Sequence, residues 1–428
     1  MAEAARDDVR PQAQHEGELR EEIEAAMAPP RSHARFPLFD SLRGLAAISI
    51  LVVHVAIFTG GFSDTWHGRL VSHLDIGVPF FFLLSGFLLY RPMLASRVIG
   101  LPRQRLRDYA RNRFLRIFPA FWVVLTVAAI LPGMYGAFTG NWWVYYLLLD
   151  NYPVYTAQGT CAVNPFDCGL PQAWSLGLEV AFYVTLPLFA WLISLLYRTR
   201  LKLPWLASNL TVLAVVSLAS FWIQSSVPVS DLDQWLFYSP LGRGWWFALG
   251  MAVAALSVRQ QQSGSVPELL GRLATRPVVP WGLAIGAYVA ASLLVLEPGP
   301  SLNFPTTGRW LYLFEYGLFG IVAALILIPV VFDPDGRGLP QRLLQHRLLI
   351  WLGLISYGIF LWHFPVMAWL IELGMLDLPS GLQFPVLAAA TFALTVALAS
   401  ASYYLLEKPL MVWTRGRSRP QPGAGFPE

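Results

Sequence analysis

An arginine and a histidine occupy one apolar segment, where few charged or titratable side chains are expected. The segment reads DSLRGLAAISILVVHVAIF, and eleven residues separate Arg43 from His54. On a helix this separation is close to three turns, a rise of ~16 Å, so both side chains lie on one face. The arginine can bind an anionic group, and the histidine can act as a base. The alternative is an arginine that reaches solvent and a hydrogen-bonded core histidine.

Two further arginines are spaced for anion binding. Arg113 and Arg116 belong to RNRFLRIFP and are three residues apart, so they share a helix face. Guanidinium groups bind phosphate with two parallel hydrogen bonds, which makes a phosphate-bearing ligand one reading of this pair. The other reading is that both residues anchor the cytoplasmic end of a membrane span.

Carboxylates occur in two apolar segments. Asp75 begins DIGVPFFFLLSGFLLY, and WSLGLEVAFY places Ser175 and Glu179 on one helix face. A carboxylate within a membrane span rarely faces lipid, so Glu179 is expected to face a cavity or a partner. Arg243 lies at a similar depth in a later segment and could pair with Glu179 or extend outward.

A second histidine occurs late in the chain. Ser356 and His363 are seven residues apart in SYGIFLWHFP and share a helix face. A second histidine inside an apolar segment strengthens the case for a site, because such groups are rare there without a function. Ser85, which is followed by a glycine, is by itself more typical of close helix packing.

The elements that must position these residues are membrane-spanning helices. Of the 428 residues, 56% are hydrophobic and 13% are charged, whereas about a quarter is charged in soluble domains. We predict an all-α polytopic membrane protein with ten transmembrane helices. The expected spans are 42–60, 75–92, 114–132, 175–197, 208–226, 236–257, 278–296, 310–332, 349–371 and 384–406. Residues 141–149 are too few to cross and predict a short re-entrant or interfacial helix.

Loop charges predict the orientation. The loop at 93–113 holds six arginines, and alternate loops repeat this enrichment in basic residues. By the positive-inside rule both termini are cytoplasmic. We therefore predict disordered cytoplasmic tails at 1–37 and 413–428 around a membrane domain at 38–412. Since the basic residues report orientation, no nucleic-acid partner is expected.

The two cysteines share one loop. Cys161 and Cys168 lie in the segment 133–173, which this orientation places outside the cell. An oxidising compartment allows a disulfide, and we predict that they form one; two unpaired thiols are the alternative.

Five strings carry a resemblance to a known family. DSLRGLAAISILVVH, FFFLLSG, RNRFLRIFP, WSLGLE and SYGIFLWH occur in this order. Over about 36–412 the chain resembles the membrane acyltransferase 3 family, ten-span enzymes that O-acylate cell-surface glycans, lipids and some antibiotics. The chain departs from the family pattern at Val180, usually a second glutamate, and at Phe360, usually a tyrosine.

The resemblance implies roles for individual residues. His54 would be the catalytic base, and Glu179 and Arg43 would also serve catalysis. Arg43, Arg113 and Arg116 would bind acyl-CoA, a co-substrate rather than a bound cofactor; no metal is expected. The residues predicted to bind the acceptor are Asp75, Ser85, Trp174, Ser175, Ser356, Tyr357 and His363.

The implied reaction joins ligands from the two sides of the plasma (inner) membrane. Cytosolic acyl-CoA would donate an acetyl or other short acyl group to a hydroxyl of an outer or membrane-bound glycan or glycolipid. His54 would either act as a base or carry the acyl group covalently. A proton-coupled exporter is the alternative function, because buried Arg, His and Glu also suit transport. No inverted repeat, which is common in such carriers, is evident in the sequence.

Overall fold

The computed structural model describes residues 38–131, 142–149, 151, 170–198, 204–226, 234–296 and 308–416. Within these ranges the ordered secondary structure is helical, which confirms the predicted all-α class. The predicted disulfide and the N-terminal tail lie outside the described residues. At the other end the last helix continues to Gly416, beyond the predicted boundary at 412, and residues 417–428 are not described.

The helices follow one another in chain order. The first half contains α1 (Leu38–Phe58), α2 (Trp66–Ser72), α3 (Gly77–Val98), α4 (Leu106–Ile130), α5 (Trp142–Tyr146), α6 (Trp174–Arg198), α7 (Trp205–Ser226) and α8 (Gln234–Phe237). The second half contains α9 (Gly244–Ser263), α10 (Glu268–Thr275), α11 (Val278–Leu294), α12 (Arg309–Phe332), α13 (Leu339–Leu344), α14 (Arg347–Leu354), α15 (Ser356–Glu372), α16 (Ser380–Ser402) and α17 (Lys408–Gly416). Single 3₁₀ turns at Leu74–Ile76, Pro171–Ala173 and Met375–Asp377 and a π-helical turn at Tyr403–Glu407 complete the order.

Seven helical segments of the described chain are long and apolar enough to cross a membrane. The number rises to nine when each of two bent helix pairs is counted as one span. Every one of the ten predicted spans falls on a helix, but α9, at predicted span 236–257, does not meet this test. The count of ten and the cytoplasmic position of both ends therefore stay predictions. The helix α5 has five residues and is too short to span.

Glycines let the helices around the site approach closely. A Cβ on Gly250 of α9 would lie 2.0 Å from the carbonyl oxygen of Leu83 in α3. A Cβ on Gly353 of α14 would lie 1.9 Å from the carbonyl oxygen of Asp40 in α1. Any larger residue would force the two helices of each pair apart, as expected where small residues mediate packing in membranes.

One helix break lies beside the candidate site. The helices α14 and α15 meet at Ile355 and differ in direction by 70°. Gly353 of α14 packs against Asp40 at the start of α1, and His363 of α15 contacts His54 in its later part, so the bend wraps the two helices around α1. The bend places Tyr357 in a cavity beside α4 and His363 against α1.

Candidate active site

A large cavity of about 680 Å³ opens between α1, α3, α4, α6 and α15. Four arginines line it: Arg43, Arg91, Arg113 and Arg116. Three of these were predicted to bind the donor, and they come from two different helices. Their shared position in one cavity concentrates positive charge where a polyanionic ligand would be attracted.

Few protein carboxylates neutralise this positive charge. Nη1 of Arg43 lies 3.9 Å from Oδ1 of Asp40, a long ion pair. Among the described residues, Arg113 and Arg116 form no ion pair, and the buried Nε of Arg113 has no hydrogen-bond partner. Buried donors on a cation are costly to leave unsatisfied, so Arg113 is suited to receive an anionic ligand.

Glu179 also lines the large cavity, with Ser85 and Tyr183. The Ser85 hydroxyl and the Tyr183 hydroxyl both donate to Glu179 Oε1, each at 2.5 Å. Arg113 lies over the Tyr183 ring, with 5.6 Å from Cζ to the ring centroid. Glu179 therefore belongs with the arginines rather than with the histidine that was predicted as the base.

A second, much smaller cavity of about 20 Å³ contains His54. This volume has room for about one water molecule. The polar side chains in its wall are His54, Asp75, Gln172 and Ser175, and Trp174 adds an aromatic surface. The two cavities share the lining residues Ile50, Val78, Ser175 and Phe360, so they adjoin at these four side chains, which we call the neck.

A hydrogen-bonded pair of histidines fixes the chemistry of His54. His363 Nδ1 lies 3.1 Å from the carbonyl oxygen of Ile359, and His363 Nε2 lies 3.1 Å from His54 Nδ1. Because a carbonyl only accepts, the neutral His363 carries its hydrogen on Nδ1 and accepts through Nε2. His54 then donates through Nδ1, and its Nε2 keeps a lone pair. This arrangement is that of a base with an orienting partner.

Packing holds the histidine pair in place. The two imidazole rings stack with centroids 5.1 Å apart, and the Phe364 ring meets His54 edge-on at 5.7 Å. His363 is fully buried and lines neither of the two cavities. Predicted as an acceptor-binding residue, it contacts His54 in the structure.

Of the remaining predicted residues, all but Ser356 line one of the two cavities or both. Tyr357 lines the large cavity and donates its hydroxyl to the carbonyl oxygen of Ile117 at 2.8 Å. Trp174 lines the small cavity, and Ser175 lines both. Ser356 is fully buried and lines neither of them.

Sequence reasoning missed several residues that line the cavities, among them two with charged or hydroxyl groups and one amide. Arg91 and Tyr183 lie in the large cavity, and Gln172 lies in the small one. A signal existed for Tyr183, which follows Glu179 by one helical turn on the same face. No spacing rule points to Gln172, which lies in a 3₁₀ turn before α6.

Arg243 follows neither alternative considered from the sequence. It is 1% exposed, and its Nη1 donates to the Tyr312 hydroxyl at 2.8 Å. Its guanidinium lies over several aromatic rings, the nearest being Phe237 at 4.6 Å. The Trp174 ring lies 5.7 Å from the guanidinium, so this cation supports a wall residue of the small cavity.

Comparison with known proteins agrees with this architecture. A family model described as an acyltransferase domain matches residues 37–403. The chain belongs to this acyltransferase family, whose match covers most of its length. The apolar helices of the described chain and its membership of this family together indicate a multi-pass membrane protein.

Individual relatives are distant. The chain is 26% identical over 397 residues to YrhL of Bacillus subtilis, provisionally named a peptidoglycan O-acetyltransferase, covering 88% of the chain and 55% of YrhL. It is 24% identical over 393 residues to peptidoglycan O-acetyltransferase OatA of Listeria monocytogenes, covering 87% of the chain and 55% of OatA. The chain thus spans just over half the length of these two proteins.

A third relative has nearly the same length. Acyltransferase MdmB of Streptomyces mycarofaciens is 26% identical over 419 residues, which cover 92% of the chain and 95% of MdmB. No solved structure matches the chain.

Proposed function

We propose that this protein transfers a short acyl group from cytosolic acyl-CoA to a hydroxyl of an extracytoplasmic or membrane-bound glycan, with His54 as the base. The observation that carries the proposal is that His54 lies in a small polar cavity that adjoins an arginine-lined cavity. The names of YrhL and OatA, which specify peptidoglycan O-acetylation, support a glycan acceptor. The proposed location is the plasma (inner) membrane.

The large cavity suits the donor. Acyl-CoA carries several phosphates, and Arg91, Arg113 and Arg116 offer guanidinium groups that can bind them. Arg43 begins the face of α1 that ends at His54, a rise of ~16 Å along the helix. The long pantetheine arm can follow this face, so that the phosphates stay among the arginines and the thioester reaches the neck.

The small cavity suits the acceptor hydroxyl. His54 Nε2 removes the hydroxyl proton while the hydroxyl oxygen attacks the thioester carbonyl carbon. The carbon–sulfur bond then breaks, and the same proton passes from His54 to the departing thiolate. The products are an ester and coenzyme A thiol, with no change in the protonation of the enzyme. His363 keeps the His54 hydrogen on Nδ1 throughout, so that Nε2 stays available.

The test uses purified protein in lipid nanodiscs with radiolabelled acetyl-CoA and solubilised cell-wall glycan. We expect labelled, alkali-sensitive ester on the glycan with the parental protein. His54→Ala is expected to lose activity by about 10²–10⁴-fold, the usual contribution of a general base. His346→Ala is the matched control, because this histidine is exposed and lines neither cavity.

Three results would contradict the proposal or its mechanism. Parental activity in His54→Ala would remove the proposed base. Flux of glycan precursor or protons across sealed vesicles without acyl-CoA would favour the exporter instead. Label that stays on His54 after removal of acyl-CoA, and that added glycan then discharges, would replace direct base catalysis with a covalent route.

A further inference from the structure

Gln172 lies in the wall of the cavity that contains His54 and carries a hydrogen-bond acceptor that no other group of the described residues uses. Its side chain is 3% exposed and lies in the wall of the small cavity. The Oε1 atom is buried and has no hydrogen-bond partner in the described part of the chain. A buried polar atom without a partner is uncommon in folded proteins and calls for a ligand or a water molecule.

The orientation of the Gln172 amide follows from the hydrogen bonds that its nitrogen makes. Nε2 of Gln172 donates to the carbonyl oxygen of Leu361 at 3.1 Å, and the carbonyl of Phe360 lies 3.5 Å away. Since both carbonyls only accept, the amide nitrogen must face α15. Oε1 therefore points away from these carbonyls, and exchanging the two amide atoms would leave two acceptors facing each other.

The hydrogen-bonding groups around Gln172 limit which class of ligand the small cavity can bind. His54 Nε2 is an acceptor because Nδ1 is the donor to His363. Ser175 uses its hydroxyl hydrogen to bind the carbonyl oxygen of Gln172 at 3.1 Å, so its oxygen is left to accept. A cavity with several acceptors and space for about one water is suited to hydrogen-bond donors, such as hydroxyl groups.

The reacting hydroxyl satisfies only one of these acceptors. Its single hydrogen passes to His54 and is not available to Gln172. A second donor on the same acceptor molecule, one carbon away from the reacting hydroxyl, would satisfy Oε1 of Gln172. Sugars present such a donor as a vicinal hydroxyl or an acetamido N–H, whereas simple alcohols do not.

We propose that Gln172 is an acceptor-binding residue that selects molecules with a hydrogen-bond donor next to the reacting hydroxyl. This proposal rests on the acyl transfer proposed above and specifies which acceptors that site admits. Gln172 holds the second donor through Oε1, and this contact turns the reacting hydroxyl toward His54.

The experiment measures acyl transfer from acetyl-CoA to a methyl glycoside and to its monodeoxy analogues, each lacking one hydroxyl. For the parental protein we expect one analogue, modified next to the reacting position, to lose about 10–100-fold in kcat/KM, the usual cost of an unpaired buried acceptor. Gln172→Met keeps the length of the side chain and removes the acceptor. In this variant the parent glycoside and that analogue should react with similar kcat/KM.

Two further variants distinguish a loss of the contact between Gln172 and the acceptor from a general loss of packing in the protein. Gln172→Glu in its protonated form can donate to the Leu361 carbonyl and still keep an acceptor oxygen, so this variant should preserve the discrimination between the two glycosides. Gln224→Met makes the same substitution at another buried glutamine, whose amide binds the carbonyls of Phe237 and Gly242 outside both cavities. This control should also preserve the discrimination, whatever its effect on the amount of folded protein.

The outcomes distinguish this proposal from the proposed function. If the parental protein acetylates every deoxy analogue with the same kcat/KM as the parent glycoside, the role of Gln172 is overturned and acyl transfer is left intact. The same conclusion follows if Gln172→Met discriminates as the parent does. The parental measurement needs no variant, so a Gln172→Met protein that fails to insert does not block the test. No acyl transfer to any glycoside would overturn both proposals.

Discussion

Replacing His363 by phenylalanine tests the histidine pair directly. In the structure His363 Nε2 accepts the His54 Nδ1 hydrogen at 3.1 Å and keeps the lone pair on His54 Nε2. Phenylalanine preserves the aromatic bulk but has no acceptor. Without this acceptor, only the hydrogen bond between His54 and the backbone carbonyl of Ile50 is left to hold the hydrogen in place, so more of His54 carries its hydrogen on Nε2, a form that cannot remove a proton.

The size of the effect follows from the lost hydrogen bond. A single hydrogen bond contributes about 0.5–1.5 kcal/mol net. Because a tenfold change in rate corresponds to about 1.4 kcal/mol, kcat should fall about 2- to 13-fold. This loss is smaller than that expected for His54→Ala, because the base itself remains. The KM for acyl-CoA should stay near the parental value, since His363 does not line the large cavity.

The assay is steady-state acyl transfer in nanodiscs, normalised to the folded fraction from size-exclusion chromatography. His363→Gln is the conservative partner, because its amide oxygen can accept from His54, and it should recover much of kcat. His346→Phe makes the same substitution at an exposed histidine and controls for the added ring.

The reasoning would be refuted by parental kcat in His363→Phe, or by a rise in KM for acyl-CoA with kcat unchanged. Equal losses in His363→Phe and His363→Gln would also count against it. In that case the imidazole would act through its packing rather than through its acceptor nitrogen.

Three further predictions concern the cavities and the packing. Arg113→Lys keeps the charge but loses the paired donors, and the KM for acyl-CoA should rise about tenfold or more with little change in kcat, measured by initial rates. Phe360→Ala widens the neck, so transfer from butyryl-CoA relative to acetyl-CoA should rise by at least about tenfold, since a single methylene is worth about 10–200-fold in a tight pocket. Phe221→Ala, outside both cavities, should leave this ratio at the parental value. Gly250→Val drives a side chain into the backbone of α3, so the yield of monodisperse protein should collapse, as size-exclusion fluorescence would show.

Some of the site could be predicted from sequence because it lies within single helices. Arg43 and His54 share α1, so the helical repeat alone places them on one face. In the structure Arg43 lines the large cavity and His54 lines the adjoining small cavity. The apolar segments predicted the helices well, since hydrophobic length is a local property. They did not establish the number of spans, because two helix pairs are bent and α9 is less apolar.

Other parts of the site depend on contacts between distant segments. The position of Glu179 in its helix left open whether the carboxylate faces a cavity or pairs with Arg243. The structure places it with Ser85 and Tyr183, because α3 and α6 pack together at that depth. Arg243 is instead enclosed by aromatic rings from other segments.

The amino-acid sequence by itself determined an all-helical membrane domain and the face of α1 that carries an arginine and a histidine. It also contained the motifs that identify the acyltransferase family. Only the tertiary structure brought His363 to His54 across 309 residues of sequence and set Gln172 beside them. The physical reason is that a helical repeat fixes which residues share a face, whereas the facing of two helices is decided by side-chain and glycine packing along their whole lengths.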